Sequence, residues 1–143
     1  MTISAIQPQP CVARTTITVP LMGYKVLAGF PSPADDYIEG PLDFNELLID
    51  NEAATFAVRV SGDSMTGIGI FPGDIVVVDR SRTAVDGSIV LALLDGAFTL
   101  KRLRMRQGRV WLAAENKDYA DIAVTDGTTF EVWGVVRHAI RML

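Results

Sequence analysis

Ser64 and Lys101 are the two residues in this sequence whose types and surroundings suit a hydrolytic reaction. Ser64 lies in the glycine-rich segment Ser61-Gly62-Asp63-Ser64-Met65, which can form a tight turn. A serine hydroxyl is a weak nucleophile until a neighbouring base takes its proton, and a neutral lysine amine can be that base. Backbone N–H groups of the same turn, those of Ser64 and Met65, can bind the oxyanion that such an attack produces. An ordinary turn with capping serines is the alternative interpretation of the segment.

The alternation of side chains along a strand places Lys101 on an apolar face. Lys101 shares that face with Thr99, Leu103 and Met105, because alternate residues of a strand point the same way. The opposite face carries the arginines at 102, 104 and 106, which favour contact with water. We therefore predict that Lys101 points inward, where loss of solvent disfavours the charged amine and lowers its pKa. A lysine that extends along the sheet edge to reach water is the alternative.

A bond between two small residues, Ala28-Gly29, offers a substrate within the same chain. It ends an apolar segment that begins at Val19, and the Pro-rich run Gly29-Phe30-Pro31-Ser32-Pro33 follows it. Glycine and two prolines disfavour a regular element there, so the bond is predicted to be accessible. A plain linker explains the same composition. Together with Ser64 and Lys101, the bond suggests a protein that cuts itself.

Other kinds of site have weaker support in the sequence. The single histidine, His138, lies in a strand pattern typical of a structural residue, and with the single cysteine, Cys11, it makes no recognisable set of metal ligands. Residues 67–73 contain three glycines, but their spacing and the strand after them do not fit a dinucleotide-binding loop. Arginines at 102, 104, 106 and 109 could contact nucleic acid, although a solvated strand face is favoured. We expect no cofactor and no metal.

Composition limits the compartment and the partners. The 143 residues suit one domain with its own core, and one cysteine allows no internal disulfide, which fits a reducing compartment. No apolar run approaches the roughly 18 residues that cross a membrane, so we expect a cytoplasmic protein. Residues 1–28 hold two basic and no acidic residues, which leaves 11 basic against 17 acidic residues in 29–143. This acidic body favours protein partners over direct sequence-specific DNA binding.

The predicted secondary structure is mostly strand. Residues 1–18 are polar and lack periodicity, so we predict a flexible N-terminal arm. A short helix is predicted over 42–49, where Asp43 and Glu46 have the spacing of a capping box. Strands are predicted over 56–60, 75–78, 88–94, 97–105, 110–113 and 130–140. Asp95-Gly96 between two apolar runs predicts a β-hairpin.

Several of these segments together resemble the UmuD proteins, which belong with LexA and the phage repressors among the self-cleaving Ser-Lys proteins. The likeness covers roughly residues 19–143 and rests on 29–37, 61–65, 71–79, 95–103 and 133–136. It implies a compact β fold of the LexA/UmuD C-terminal type with a flexible arm. By position it implies Ser64 as nucleophile, Lys101 as general base and Ala28-Gly29 as the scissile bond. The best-known UmuD has cysteine before that glycine, whereas Ala28 resembles the bond of LexA.

The resemblance also implies a function in the DNA-damage (SOS) response. Residues 1–28 would be removed by self-cleavage when the RecA filament on single-stranded DNA is bound, which leaves 29–143 as a homodimeric catalytic domain. The shortened form would join a UmuC-type polymerase in mutagenic translesion synthesis. A LexA-like or phage-type repressor fragment is one alternative, although it would need a helix-turn-helix domain upstream and only 28 residues precede Gly29. A polymerase accessory protein that no longer cleaves is the other.

Overall fold

The computed structural model describes residues 16–23, 25–26 and 38–143. The chain divides into two compact units, residues 1–47 and residues 48–143. Most of the predicted arm and the Ala28-Gly29 bond lie outside the described residues.

The first unit contains a two-stranded antiparallel sheet that was not predicted. Strand β1 (Val19–Met22) pairs with β2 (Ile38–Leu42), and Pro20 lies opposite Pro41 in the register. Proline lacks a backbone donor and is confined to edge strands, so a proline in a segment argues against a strand there. For this reason neither strand was predicted from the sequence. Helix α1 (Phe44–Leu48) follows and confirms the predicted helix, but it is shorter than predicted because Leu42 still belongs to β2.

The second unit is a seven-stranded antiparallel sheet. Its strands are β3 (Thr55–Arg59), β4 (Ile75–Asp79), β5 (Ile89–Leu94), β6 (Ala97–Arg106), β7 (Arg109–Ala113), β8 (Ile122–Val124) and β9 (Phe130–Ile140). They lie in the order β3-β4-β9-β5-β6-β7-β8. The mostly-β prediction is confirmed, and so is each predicted strand to within a residue at either end. The three-residue β8 was too short to predict.

The hairpin of β5 and β6 sets the position of Lys101. Asp95 and Gly96 both have positive φ, at 47° and 82°, as a two-residue hairpin turn requires. The predicted hairpin is therefore confirmed. Its register places Lys101 opposite Val90, whose side chain is fully buried.

The core explains which face of β6 is inward. Val90, Ala92, Leu103 and Leu112 form a buried apolar cluster between β5, β6 and β7. Lys101 lies on the same face of β6 as Leu103 and is only 8% exposed, which confirms the predicted inward orientation. Met105 was predicted on that face too, but it is 46% exposed because it lies next to the turn that joins β6 to β7.

No helix within the described ranges is long and apolar enough to cross a membrane. Within the same ranges, no three acidic, histidine or cysteine side chains come together as a metal site would require.

Candidate active site

The turn after β3 presents Ser64 at the surface of a cleft. The backbone turns at Gly62, whose φ of 89° favours glycine. Met65 is only 2% exposed and anchors the turn in the core beside the partly buried Ser64. A 3-10 turn follows at Thr66–Ile68, and Gly69 ends it in the left-handed conformation with φ 87°. Gly62, inside the segment predicted to form a tight turn, and Gly69 beyond it therefore shape the backbone around Ser64.

Lys101 reaches Ser64 from β6. Its Nζ lies 3.0 Å from Ser64 Oγ, 3.0 Å from Thr99 Oγ1 and 3.2 Å from the Leu100 carbonyl oxygen. A neutral amine has two N–H groups and one lone pair. It can therefore donate to Thr99 and to the Leu100 carbonyl while its lone pair accepts the Ser64 proton. The sequence placed Thr99 on the correct face but did not identify it as a partner of the amine.

Burial favours the neutral form of Lys101. Removal of the amine from water lowers its pKa below the usual value of 10.5. In the part of the chain that the structure describes, no carboxylate forms an ion pair with Lys101, so burial acts unopposed. The geometry can thus generate a neutral base within hydrogen-bonding distance of a serine hydroxyl.

A cleft of about 250 Å³ lies beside the two side chains. Apolar residues make up much of its wall, namely Val58, Val60, Val76, Leu91 and Phe98. The backbone amides of Ser64 and Met65 donate to no group among the described residues, which leaves both N–H groups free to bind an oxyanion. The single histidine lies elsewhere, on β9 opposite Val77, and does not line the cleft.

The segment 115–119, which follows β7, holds the Ser64 turn from outside. Asn116 Nδ2 donates to the Asp63 carbonyl at 2.9 Å, and the Tyr119 hydroxyl donates to the Asp63 carboxylate. The Gly67 N–H donates to the Glu115 carbonyl at 2.7 Å. The Asp63 carboxylate also raises the pKa of Tyr119, because it accepts the phenolic proton in this bond. Sequence reasoning missed these residues, since the side-chain bonds join positions 53 and 56 residues apart.

Arg102 departs from the solvated arginine face that the sequence predicted. Its side chain is 21% exposed, donates to the Glu115 carboxylate and donates to the Gly87 carbonyl at 2.6 Å. The prediction is wrong for Arg102 because the segment after β7 supplies a carboxylate that covers it. Arg106 and Arg109, at the end of the same hairpin, are exposed as predicted.

An ion pair between the buried Asp74 and the exposed Arg141 holds the other end of the turn. The guanidinium of Arg141 donates to both carboxylate oxygens of Asp74 at 2.8 Å and to the Gly69 carbonyl at 2.8 Å. It also lies over the Phe71 ring, 4.1 Å from the centroid. Hydrogen bonds from Arg141 and from the Phe71 N–H lower the pKa of Asp74 to about 2. The segment that follows Ser64 is therefore connected to the end of β9.

Comparison with known proteins finds a matching family model and several relatives. A family model described as Peptidase S24-like matches residues 20–137. Protein MucA of Escherichia coli is 42% identical over 124 residues, which cover 86% of this chain and 84% of MucA. Protein ImpA of Escherichia coli is 51% identical over 87 residues, or 61% of this chain and 60% of ImpA. The LexA repressor of Parafrankia sp. is 41% identical over 116 residues, which cover 81% of this chain but 46% of that repressor.

Proposed function

Because the chain belongs to the peptidase S24-like family, as its likeness to the UmuD and LexA group predicted, we propose that it is a self-cleaving serine peptidase of the UmuD type. In this proposal Ser64 is the nucleophile and Lys101 the general base. The observation that carries it is the 3.0 Å separation of Lys101 Nζ and Ser64 Oγ beside an apolar cleft. The buried position of Lys101 supports its role as a base at moderately alkaline pH.

The reaction proceeds through an acyl-enzyme. Neutral Lys101 removes the proton from Ser64 Oγ, and the oxygen attacks the carbonyl carbon of Ala28. The N–H groups of Ser64 and Met65 bind the oxyanion of the tetrahedral intermediate. The intermediate collapses with cleavage of the C–N bond, and the protonated Lys101 returns its proton to the leaving amine of Gly29. Water, deprotonated by Lys101, then hydrolyses the ester and releases residues 1–28.

The surroundings of Lys101 and the tethered substrate assist this chemistry. Thr99 Oγ1 and the Leu100 carbonyl accept the two N–H groups of the neutral amine and so direct its lone pair at Ser64. The small residues Ala28 and Gly29 suit a narrow cleft. A substrate in the same chain has a high effective concentration, so a modest catalytic apparatus is sufficient.

In the cell we place this cleavage in the DNA-damage response. The RecA filament on single-stranded DNA stimulates the cut, and the shortened homodimer acts with a UmuC-type polymerase in the cytoplasm during mutagenic translesion synthesis. The match to MucA over 84% of its length supports this assignment more strongly than the match to less than half of a LexA repressor. Cleavage removes both Arg14 and Lys25 with no acidic residue, so the product is more acidic and its choice of partner changes.

Similarity to the LexA repressor supports a second candidate function. The chain would then be a repressor of the same family that cuts itself with the same two side chains. A polymerase accessory protein that no longer cleaves is distinguished from both by the cleavage experiment itself.

The test is the mass of the purified protein after incubation between pH 7 and pH 10. We expect one cut, after Ala28, that becomes faster as pH rises because a larger fraction of Lys101 is neutral. Ser64→Ala and Lys101→Ala should abolish the cut, whereas Ser61→Ala, which changes a second serine in the cleft wall, should leave it unchanged. Cleavage that persists without Ser64 or Lys101, or that falls at another bond, would refute the proposal.

The cellular assignment has its own test. RecA filaments assembled on single-stranded DNA should accelerate the same cut at neutral pH, and an affinity-tagged 29–143 fragment should retain a UmuC-type polymerase. A repressor instead would retain a specific DNA duplex and not the polymerase.

A further inference from the structure

The peptide group between Asp63 and Ser64 contains the Ser64 N–H, a proposed oxyanion donor, and the Asp63 carbonyl, which is held by a hydrogen bond. A trans peptide group is planar, so its C=O and N–H point in opposite directions. The Asp63 carbonyl accepts a hydrogen bond from Asn116 Nδ2 at 2.9 Å. Whatever holds this carbonyl also sets the direction of the Ser64 N–H.

Asn116 is itself held in the orientation that this bond needs. Its Oδ1 accepts from the Asp118 N–H at 2.9 Å, and its carbonyl accepts from the Tyr119 N–H at 3.1 Å. A backbone N–H can only donate, so the amide oxygen must face Asp118 and the NH₂ group is left for Asp63. The side chain of Asn116 is therefore set by its own turn before it meets the Ser64 turn.

Two further hydrogen bonds connect the turn that contains Asn116 to the turn that contains Ser64. The Tyr119 hydroxyl donates to the Asp63 carboxylate, and the Gly67 N–H donates to the Glu115 carbonyl at 2.7 Å. The approach is close, since a Cβ on Gly67 would lie 2.4 Å from the Glu115 carbonyl oxygen. The Glu115 carboxylate accepts from Arg102, the residue after Lys101. One segment thus contacts both the turn that carries the nucleophile and the strand that carries the base.

We propose that Asn116 is a positioning residue for self-cleavage, which directs the Ser64 N–H at the oxyanion by holding the Asp63 carbonyl. This inference rests on the proposed function, because it assigns a role in the reaction of Ser64 and Lys101. Asn116 touches neither the substrate nor the reacting atoms in this role. It acts on the step after Lys101 has lost its proton.

The experiment compares first-order rates of self-cleavage of the full chain from pH 7 to pH 11 for wild type, Asn116→Ala and Asn116→Asp. The aspartate is nearly isosteric and keeps the bond from Asp118, but it places an oxygen against the Asp63 carbonyl and offers no donor there. Lys117→Ala changes an exposed side chain of the same segment and is the matched control. Thermal unfolding is measured for each variant, and the rates are compared below the onset of unfolding.

Loss of an entire oxyanion donor costs about 100-fold or more in rate, so a misdirected one should lower the plateau by about 10-fold or more. We expect this loss of rate in both Asn116 variants, with the midpoint of the pH profile unchanged. Lys117→Ala should have the plateau rate and the midpoint of wild type. A wild-type plateau would overturn the inference. A loss of rate that is explained by a shifted midpoint of the pH profile would also overturn it, because the effect would then be on Lys101. A loss of rate in proportion to the unfolded fraction of the variant would overturn it as well. Failure of wild type to cut, or cutting by Ser64→Ala, would instead reject the proposed function.

Discussion

Lys101 Nζ lies 3.0 Å from Ser64 Oγ although the two residues are 37 positions apart and belong to opposite parts of the sheet. Ser64 follows β3 and Lys101 lies in β6, and the strands β4, β9 and β5 separate them. In a flat sheet, strands four places apart are about 19 Å from each other. The contact therefore depends on the twist of the sheet, on the reach of the turn at 61–69 and on the bonds that hold that turn in place.

Lys101 should make the stability of the protein depend on alkaline pH. Burial lowers its folded-state pKa below 10.5, so between these two values the unfolded chain binds more protons than the native one. The free energy of unfolding, relative to that of Lys101→Met, should therefore rise as pH rises through this window and stay constant below it. Urea unfolding from pH 7 to pH 10, with both proteins carrying Ser64→Ala to prevent cleavage, measures the difference. Lys117→Met is the exposed control, and an equally flat difference for both lysines would contradict the prediction.

Thr99→Val should slow self-cleavage and move its pH dependence. The Thr99 hydroxyl accepts from Lys101 Nζ at 3.0 Å, and the charged amine is the stronger donor. Loss of the acceptor disfavours the charged form, so the midpoint of the pH–rate profile should fall. The plateau should fall about 10-fold or more because the amine is less well oriented. Thr99→Ser keeps the hydroxyl and should retain both values, and a wild-type profile for Thr99→Val would show that this bond is unimportant.

Gly67→Ala should destabilise the protein and displace the Ser64 turn. The added Cβ would lie 2.4 Å from the Glu115 carbonyl oxygen, so backbone has to move on one side of the contact. We expect a loss of about 1–3 kcal/mol in the free energy of unfolding by urea, the usual cost of overpacking. Gly127→Ala has open space around its Cβ and no left-handed φ, so it should be close to neutral. Equal stabilities for the two variants would show that the contact relaxes freely.

The pair of Asp74 and Arg141 should contribute stability that is lost in acid. Hydrogen bonds from Arg141, the larger cause, and from the Phe71 N–H lower the pKa of Asp74 from 3.8 to about 2, so the native protein binds fewer protons than the unfolded chain between these values. The advantage of wild type over Arg141→Ala should be fully present above pH 4 and decrease as pH falls towards 2. Urea unfolding at a series of pH values tests this. Arg141→Lys keeps the charge without the two-oxygen contact and should fall between them; an advantage that does not change with pH would contradict the prediction.

Much of the second unit was predictable because its signals are local. Side-chain alternation placed Lys101 inside, and Asp95-Gly96 identified the hairpin that sets its register. The same rule was wrong for Arg102, since only a distant segment supplies the Glu115 carboxylate that covers it. Asn116 and Tyr119 gave no local signal, because their bonds to Asp63 exist only once β7 has packed in the sheet. The strands β1 and β2 were missed because each contains a proline.

The roles of Ser64, Lys101 and the backbone N–H groups stay predictions until cleavage is measured, and the Ala28-Gly29 bond lies outside the described residues. What the sequence could supply for the site was the type of each side chain and its face of the strand. It could not supply the separation of Ser64 and Lys101, which arises from the packing of strands that are not neighbours.

The place of β9 in the sheet bears on when the proposed cut could first occur during synthesis of the chain. β9 lies between β4 and β5, which have no strand pairing with each other. A ribosome makes residues 130–140 only after both Ser64 and Lys101 have been added. A nascent chain therefore carries the two reactive side chains without the strand that joins their halves of the sheet. If the proposed cut needs the assembled sheet, the Ala28-Gly29 bond stays intact until residues 130–140 have been made.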